Sequence, residues 1–174
     1  MSNNLLGGLP AALIQGRVQV ILGSMDYFAI LLNKLDAKTT NFPFIENGAP
    51  TVSTSIIVSD GFLAEHPDLA RAFVAASFKG WSAAIDDPVA AVAAMHTMFP
   101  DANADLAPAQ LEATKQLMCA NRARFVGKAT PAQWDDTARI LSEVGVLPSG
   151  TSAASYYTYD YLPAEGVLRP CPLR

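Results

Sequence analysis

Residues 53–88 read STSIIVSDGFLAEHPDLARAFVAASFKGWSAAIDDP. Three signals follow one another along this stretch. Ile56-Ile57-Val58 is a β-branched run, so 53–59 is expected to form a strand. Asp60 is placed to cap a helical turn through Leu63. Pro67 falls where a first helical residue tolerates a missing N–H, and the helix it opens is expected to reach Asp86. Along that helix Val74, Phe78, Trp81 and Ile85 recur at helical spacing and predict one buried face. Phe73, Ser77, Gly80 and Ala84 form a row beside it, whose small members predict close approach of another element.

Upstream, 9–17 reads as a short helix with Pro10 near its start and Gly16 near its end. Residues 18–22 read as a strand that Gly23 ends. Residues 25–35 read as a helix with Tyr27, Ile30, Leu31 and Leu35 on one side. A second short strand is expected at 41–46, weakened by Pro43, and Asn47-Gly48-Ala49-Pro50 is a turn. Helix and strand alternate here, which is the pattern of α/β folds. Beyond Pro88 only helices are expected. One opens at Pro88 with Val89, Val92, Ala93 and Met95; Phe99-Pro100-Asp101 breaks it. Pro108 starts another, with Leu111, Thr114, Lys115 and Met118 at helical steps. Thr130-Pro131 opens a third, with Gln133 where a capping box needs Glu or Gln. Trp134, Ala138, Leu141 and Val144 are its apolar face and Gly145 its end. The tail carries four of the five tyrosines and is expected to lie over the body as irregular structure. The chain thus divides into 1–60, an α/β part of one lobe with a crossing strand; 61–148, a helical region; and 149–174, the irregular tail. Three strands are few for a parallel sheet, and the chain reads as the C-terminal portion of a two-lobed protein.

Length and composition suit one ordinary globular domain: 174 residues, 51% hydrophobic and 16% charged. The net charge of −4 and the lack of a Lys/Arg cluster give no electrostatic reason to expect nucleic acid. No apolar run reaches transmembrane length, and the N-terminus lacks the features of a signal peptide. Taken as written, the chain is expected in the cytoplasm without membrane insertion. Cys119 and Cys171 form no C-x-x-C pair, so no structural zinc site is expected; a disulfide between them is the less favoured alternative, since cytosolic thiols are expected to stay reduced.

The strongest candidate for chemistry is Gly23-Ser24-Met25-Asp26-Tyr27, where an expected strand meets an expected helix. In open α/β sheets ligands bind at the carboxyl ends of strands, and a helix N-terminus there suits an anion or polar head group. Ser24, Asp26 and Tyr27 would add a hydroxyl, a carboxylate and an aromatic face. Helix capping and packing account for the same residues. Asn47, Thr51 and Ser53 belong to a polar loop, readable either as a ligand-facing hinge or as a solvated turn. His66 is a helix-entry residue and His96 lies near a helix end. Neither has the neighbours of a catalytic triad or a metal site. The pairs Asp86-Asp87 and Asp135-Asp136 read as solvated faces, Trp81 and Trp134 as core. There is no nucleotide-binding motif. The residues therefore predict no catalytic set, no metal and no cofactor.

The wording of 53–88 also resembles the solute-binding proteins of ABC importers for nitrate, sulfonates, taurine and thiamine-pyrimidine precursors. Matching residues are Ser59, Asp60, Phe62, Leu63, Pro67, Asp68, Leu69, Arg71, Phe73, Val74, Ala76, Gly80, Trp81, Ala84, Asp87 and Pro88. Ala12 to Gln19 looks like the family's "ALxxGxVD" segment, with Gln19 where Asp is usual. Phe99-Pro100, Trp134 and Leu141 to Leu147 look like its later helices, and Tyr156 to Pro163 like its "YYTNxFLP" ending. The resemblance implies a partial type II periplasmic-binding fold, with few strands followed by several helices. It implies a receptor that takes a small polar or heteroaromatic solute in an interlobe cleft, with Ser24, Asp26 and Tyr27 on one wall. It further implies a transporter permease as partner and a periplasmic or extracytoplasmic location. An enzyme branch of the family makes the thiamine pyrimidine with a lysine-bound cofactor and a cysteine-rich motif. That motif is missing here, and Lys34, Lys38, Lys79, Lys115 and Lys128 have no supporting pattern. A truncated product that binds nothing is the other alternative.

Overall fold

The computed structural model describes residues 8–120 and 123–172. They form α1 (Gly8–Ile14), α2 (Ile30–Lys34), α3 (Asp60–Glu65), α4 (Pro67–Asp86), α5 (Pro88–Met98), α6 (Ala107–Met118) and α7 (Pro131–Glu143). A π turn, Met25–Ala29, runs straight into α2, and 3-10 turns occupy Phe44–Glu46 and Ala153–Ser155.

No β-strand forms among the described residues, which overturns the expected α/β class and the partial type II periplasmic-binding fold of few strands followed by several helices. Residues 18–22 and 53–58 are irregular, and 41–46 contains a 3-10 turn instead. The physical reason is that a strand is completed by its neighbour, because its N–H and C=O groups point sideways to a partner chain. β-Branched side chains supply fit to a pleated surface and not the partner. Here the Val52 amide donates to a side chain, Thr137 Oγ1, at 2.8 Å. The β-bridges found are isolated ones, Phe125 opposite Lys128 and opposite Pro170. Val20 and Ile57, within two of the expected strands, are 80% and 91% exposed.

The helices follow local signals closely. Pro67 occupies the first turn of α4. In α3 the cap is Ser59, whose Oγ accepts from the Phe62 amide at 3.3 Å, while the expected cap, Asp60, is already helical. The Asp87 carboxylate accepts from the Ala90 amide at 3.0 Å and starts α5. Thr130 and Gln133 form the predicted capping box: the Gln133 amide donates to Thr130 Oγ1 and the Thr130 amide donates to Gln133 Oε1 at 2.7 Å. Gly145, at φ 75°, takes the left-handed conformation that lets the chain leave α7.

The core is thin. Its buried hydrophobic residues are Leu31, Leu32, Val74, Leu106, Val126 and Leu168 with six alanines at 11, 70, 107, 123, 138 and 153. A buried alanine removes far less apolar area than a leucine, so half of these positions contribute little. On α4 only Val74 of the predicted face is buried; Phe78, Trp81 and Ile85 are half-buried. A side chain at Gly80 would meet open space, so the predicted close approach does not occur there. On α7 Ala138 is buried while Val144 is exposed. α6 packs on the π turn, and α4 meets both α5 and α6.

The tail lies over the body as irregular chain. The Trp134 and Tyr157 rings stack at 5.0 Å between centroids, and Tyr157 abuts Tyr159. Arg71 of α4 sits 4.9 Å above the Tyr161 ring. Farther along, the Val126 amide donates to Arg169 O and the Cys171 amide to Arg124 O, both at 2.9 Å. Cys119 and Cys171 are joined by a disulfide, with their Cα atoms 5.5 Å apart. This corrects the expectation of reduced thiols. The two positions are distant in sequence, and the tail's path alone brings them together.

Candidate functional site

The six predicted binding residues fall into two groups held by different helices. Ser24, Asp26 and Tyr27 surround the π turn. Ser24 stands at its N-cap without a side-chain cap bond, and its carbonyl accepts from the Tyr27 and Phe28 amides at 3.3 and 2.9 Å. Asp26 accepts from Thr114 Oγ1 of α6 at 3.4 Å, which anchors the turn. Tyr27 is exposed, its ring 5.5 Å from Phe28 and tilted. Gly23 is required here, since a Cβ would fall 2.7 Å from Phe28 Cγ. The ring packs directly over the glycine backbone.

Asn47, Thr51 and Ser53 belong to the other group and are exposed. Asn47 Nδ2 donates to Pro43 O at 2.8 Å, closing the 3-10 turn. Ser55 Oγ donates to Ser53 O at 3.1 Å. Val52 ties the loop to α7 through Thr137. Asn47 is thus used locally, as a turn residue is.

None of the six lines either of two open clefts. The first, about 300 Å³, follows the π turn and is lined by Ala29, Ile30, Asn33, Ala37, Thr39 and Asn41. It presents two amides and a hydroxyl among small apolar groups, with no charged side chain. Ser24, Asp26 and Tyr27 lie about one turn before it in the chain. Asn33 and Asn41 flank the exit of α2, and polar amides bracketing a short helix were the available signal.

The second cleft, about 380 Å³, lies between α7 and the loop after it. It includes Asp135, Arg139, Ser142, Glu143, Thr151 and Ser152. Arg139 contacts Glu143 at 2.8 Å and Asp136 at 3.5 Å. The Glu143 hydrogen bond and charge, with Asp136 behind them, raise its pKa further above the usual range. Two carboxylates thus offset the charge that this guanidinium would offer an anionic ligand. Sequence reading missed this cleft because its hydroxyl-rich wall, Ser149-Gly150-Thr151-Ser152, is a tail segment.

Burial pushes the Tyr159 phenol up to about 12, with Tyr157 adding to the shift, and its hydroxyl donates to Ala129 O at 2.6 Å. The Lys128 ammonium lies 5.2 Å from the Tyr159 ring and pairs with Glu165 at 2.6 Å. That hydrogen bond, and then the charge of Lys128, holds the Glu165 carboxyl below its usual range. These groups tie the tail down. His66 lies against Phe62 at 5.1 Å between rings, as a helix-entry residue would. Among the described residues no group of three or more His, Cys, Asp or Glu is placed to hold a metal. No helix among them is long and apolar enough to cross a membrane.

Compared with known families, residues 6–91 match the model described as NMT1/THI5 like. This part of the chain belongs to the NMT1/THI5-like family. The matched region contains α1 to α4, the start of α5, all six predicted residues and every residue lining the smaller cleft. A search of curated proteins finds no match to the chain.

Proposed function

We propose that the chain is the solute-binding component of an ABC importer and recognises a small polar or heteroaromatic molecule. The observation that carries this reading is the NMT1/THI5-like match over 6–91, which encloses the cleft of Asn33, Thr39 and Asn41. That lining favours one solute class over another. A sulfonate or nitrate must exchange its hydration for charged or N–H-rich partners, since an unpaired buried charge is costly. The cleft offers carboxamides and a hydroxyl, each able both to donate and to accept, beside Ala29, Ile30 and Ala37. An aminopyrimidine presents the same mixed donor and acceptor edge on an apolar ring. A thiamine-pyrimidine precursor is therefore the preferred solute.

A transporter permease is the proposed partner, and an extracytoplasmic location the proposed setting. The Cys119–Cys171 disulfide supports that setting, because such bonds persist in oxidising compartments. The test is thermal unfolding with a panel of aminopyrimidines, taurine, alkyl sulfonates, nitrate and riboflavin. A solute at about a hundred times its Kd should raise Tm by roughly 5 °C or more. The expected result is a rise with an aminopyrimidine that Asn33→Ala and Asn41→Ala both abolish. If no member of the panel moves Tm, the receptor reading falls. If a sulfonate alone does, the assignment of solute class falls.

A further inference from the structure

We infer that Cys119–Cys171 is a covalent latch, and that only the oxidised chain keeps residues 165–171 seated against α4 and α6. The seating has three parts. Residues 124–126 and 169–171 pair through the Val126 amide to Arg169 O and the Cys171 amide to Arg124 O. Leu168 is 5% exposed and is the segment's one buried side chain. The Arg169 guanidinium donates to Ser82 O at 3.4 Å and to the Asp86 carboxylate, so a cation sits by the C-terminal end of α4, where the helix dipole favours positive charge. Lys128 and Glu165 pair at the segment's other end.

These contacts explain why the two sulfurs meet, but not why the segment stays. Two backbone hydrogen bonds and ion pairs with mostly exposed carboxylates are weak against the ordering of a segment without regular structure. The disulfide changes that balance. It fixes the segment to Cys119, at the C-terminal end of α6, and so confines the strand-like pairing to the geometry in which it forms. A turn at Gly127 (φ 73°) carries Val126 and Lys128 to the segment and rests near Phe78 of α4. Release at Cys171 therefore reaches α4 by two routes, through Arg169 and through the Gly127 turn.

Unlatching needs a dithiol reductant. One of its thiolates attacks a sulfur of the pair, the S–S bond breaks, and the other cysteine leaves as a thiolate. The reductant's second thiolate then resolves the mixed disulfide. The reductant becomes a disulfide, and two electrons and two protons pass to Cys119 and Cys171. Both cysteines are half-buried, so a small dithiol has access.

The experiment is hydrogen exchange read by mass spectrometry on the full chain, oxidised and after dithiothreitol, with Cys119→Ser/Cys171→Ser as the second arm. The expected result is exchange at least tenfold faster in peptides covering 124–128 and 165–171, with a clearly smaller change in the α7 peptide. The double variant should match the reduced chain, and Tm should fall by roughly 10 °C. Reoxidation should restore the original pattern, which separates unlatching from irreversible misfolding of the variant. Unchanged exchange at 165–171 after full reduction would overturn the latch. So would uniform acceleration through α7, which would make the bond a global staple, or two alkylatable thiols in chain purified without reductant.

Discussion

At Tyr159 one side chain joins the tail to the body, and its chemistry can be read directly. Burial favours the neutral phenol and its hydroxyl donates to Ala129 O, so the folded-state pKa stands near 12 against an ordinary 10.0. The folded state thus holds this proton more tightly than the unfolded state does. The stability it contributes is complete below pH 10 and is lost as pH rises from about 10 towards 12. A tyrosinate absorbance titration should show one phenol ionising at about 12, and Tyr159→Phe should remove that step. Removing the hydroxyl should also cost about 1 kcal/mol of stability. A titration complete near pH 10 would contradict the buried placement. The motif YYTYDY announced an aromatic tail, but not which of its tyrosines would be covered. That depends on Trp134 and Ala129, some thirty positions upstream. Asp26 gives the same lesson: its partner is Thr114, 88 positions away.

At the level of elements, the readable part was the part written locally. Pro67, Pro88 and Thr130-Pro131 start helices by removing an orphan donor or accepting from one, and such effects need only neighbouring residues. All three helices start there. The capping box should therefore behave as an independent unit. Thr130→Ala should destabilise the chain by about 1 kcal/mol, and Gln133→Ala by less, because Thr130 holds the N-cap position, where loss of the side-chain oxygen carries the larger cost. Chemical denaturation of both variants checks the ranking, which equal losses would contradict. The three expected strands failed for the converse reason. Ile56-Ile57-Val58 has strand composition, but pairing is non-local, and no β-pairing to it forms among the described residues. The smaller cleft was half legible. Its amides lie in the α2 region that the sequence marked, yet the residues singled out were those of the preceding turn.

For the whole molecule the deciding quantity is surface. A compact monomer of 18.5 kDa exposes about 8,200 Å², and this chain exposes 12196 Å². The excess is about half as much again, and much of it is apolar: Val20, Leu22, Phe42, Ile57 and Val89 are all at least 70% exposed. With half of the buried hydrophobic positions held by alanine, the body lacks the large side chains that would draw these segments in. The disulfide becomes correspondingly important, since closing a loop with a sequence separation of 52 removes about 4 kcal/mol worth of unfolded-state freedom. That is a large share of the 5–15 kcal/mol on which ordinary domains stand. Small-angle scattering should accordingly give a radius of gyration clearly above the roughly 16 Å of a compact chain this long. The apolar surface should also bind a hydrophobic dye under native conditions. Reduction should enlarge both signals. A radius near 16 Å with no dye binding would contradict this prediction, and would mean that residues 18–22 and 53–58 fold against the body in solution.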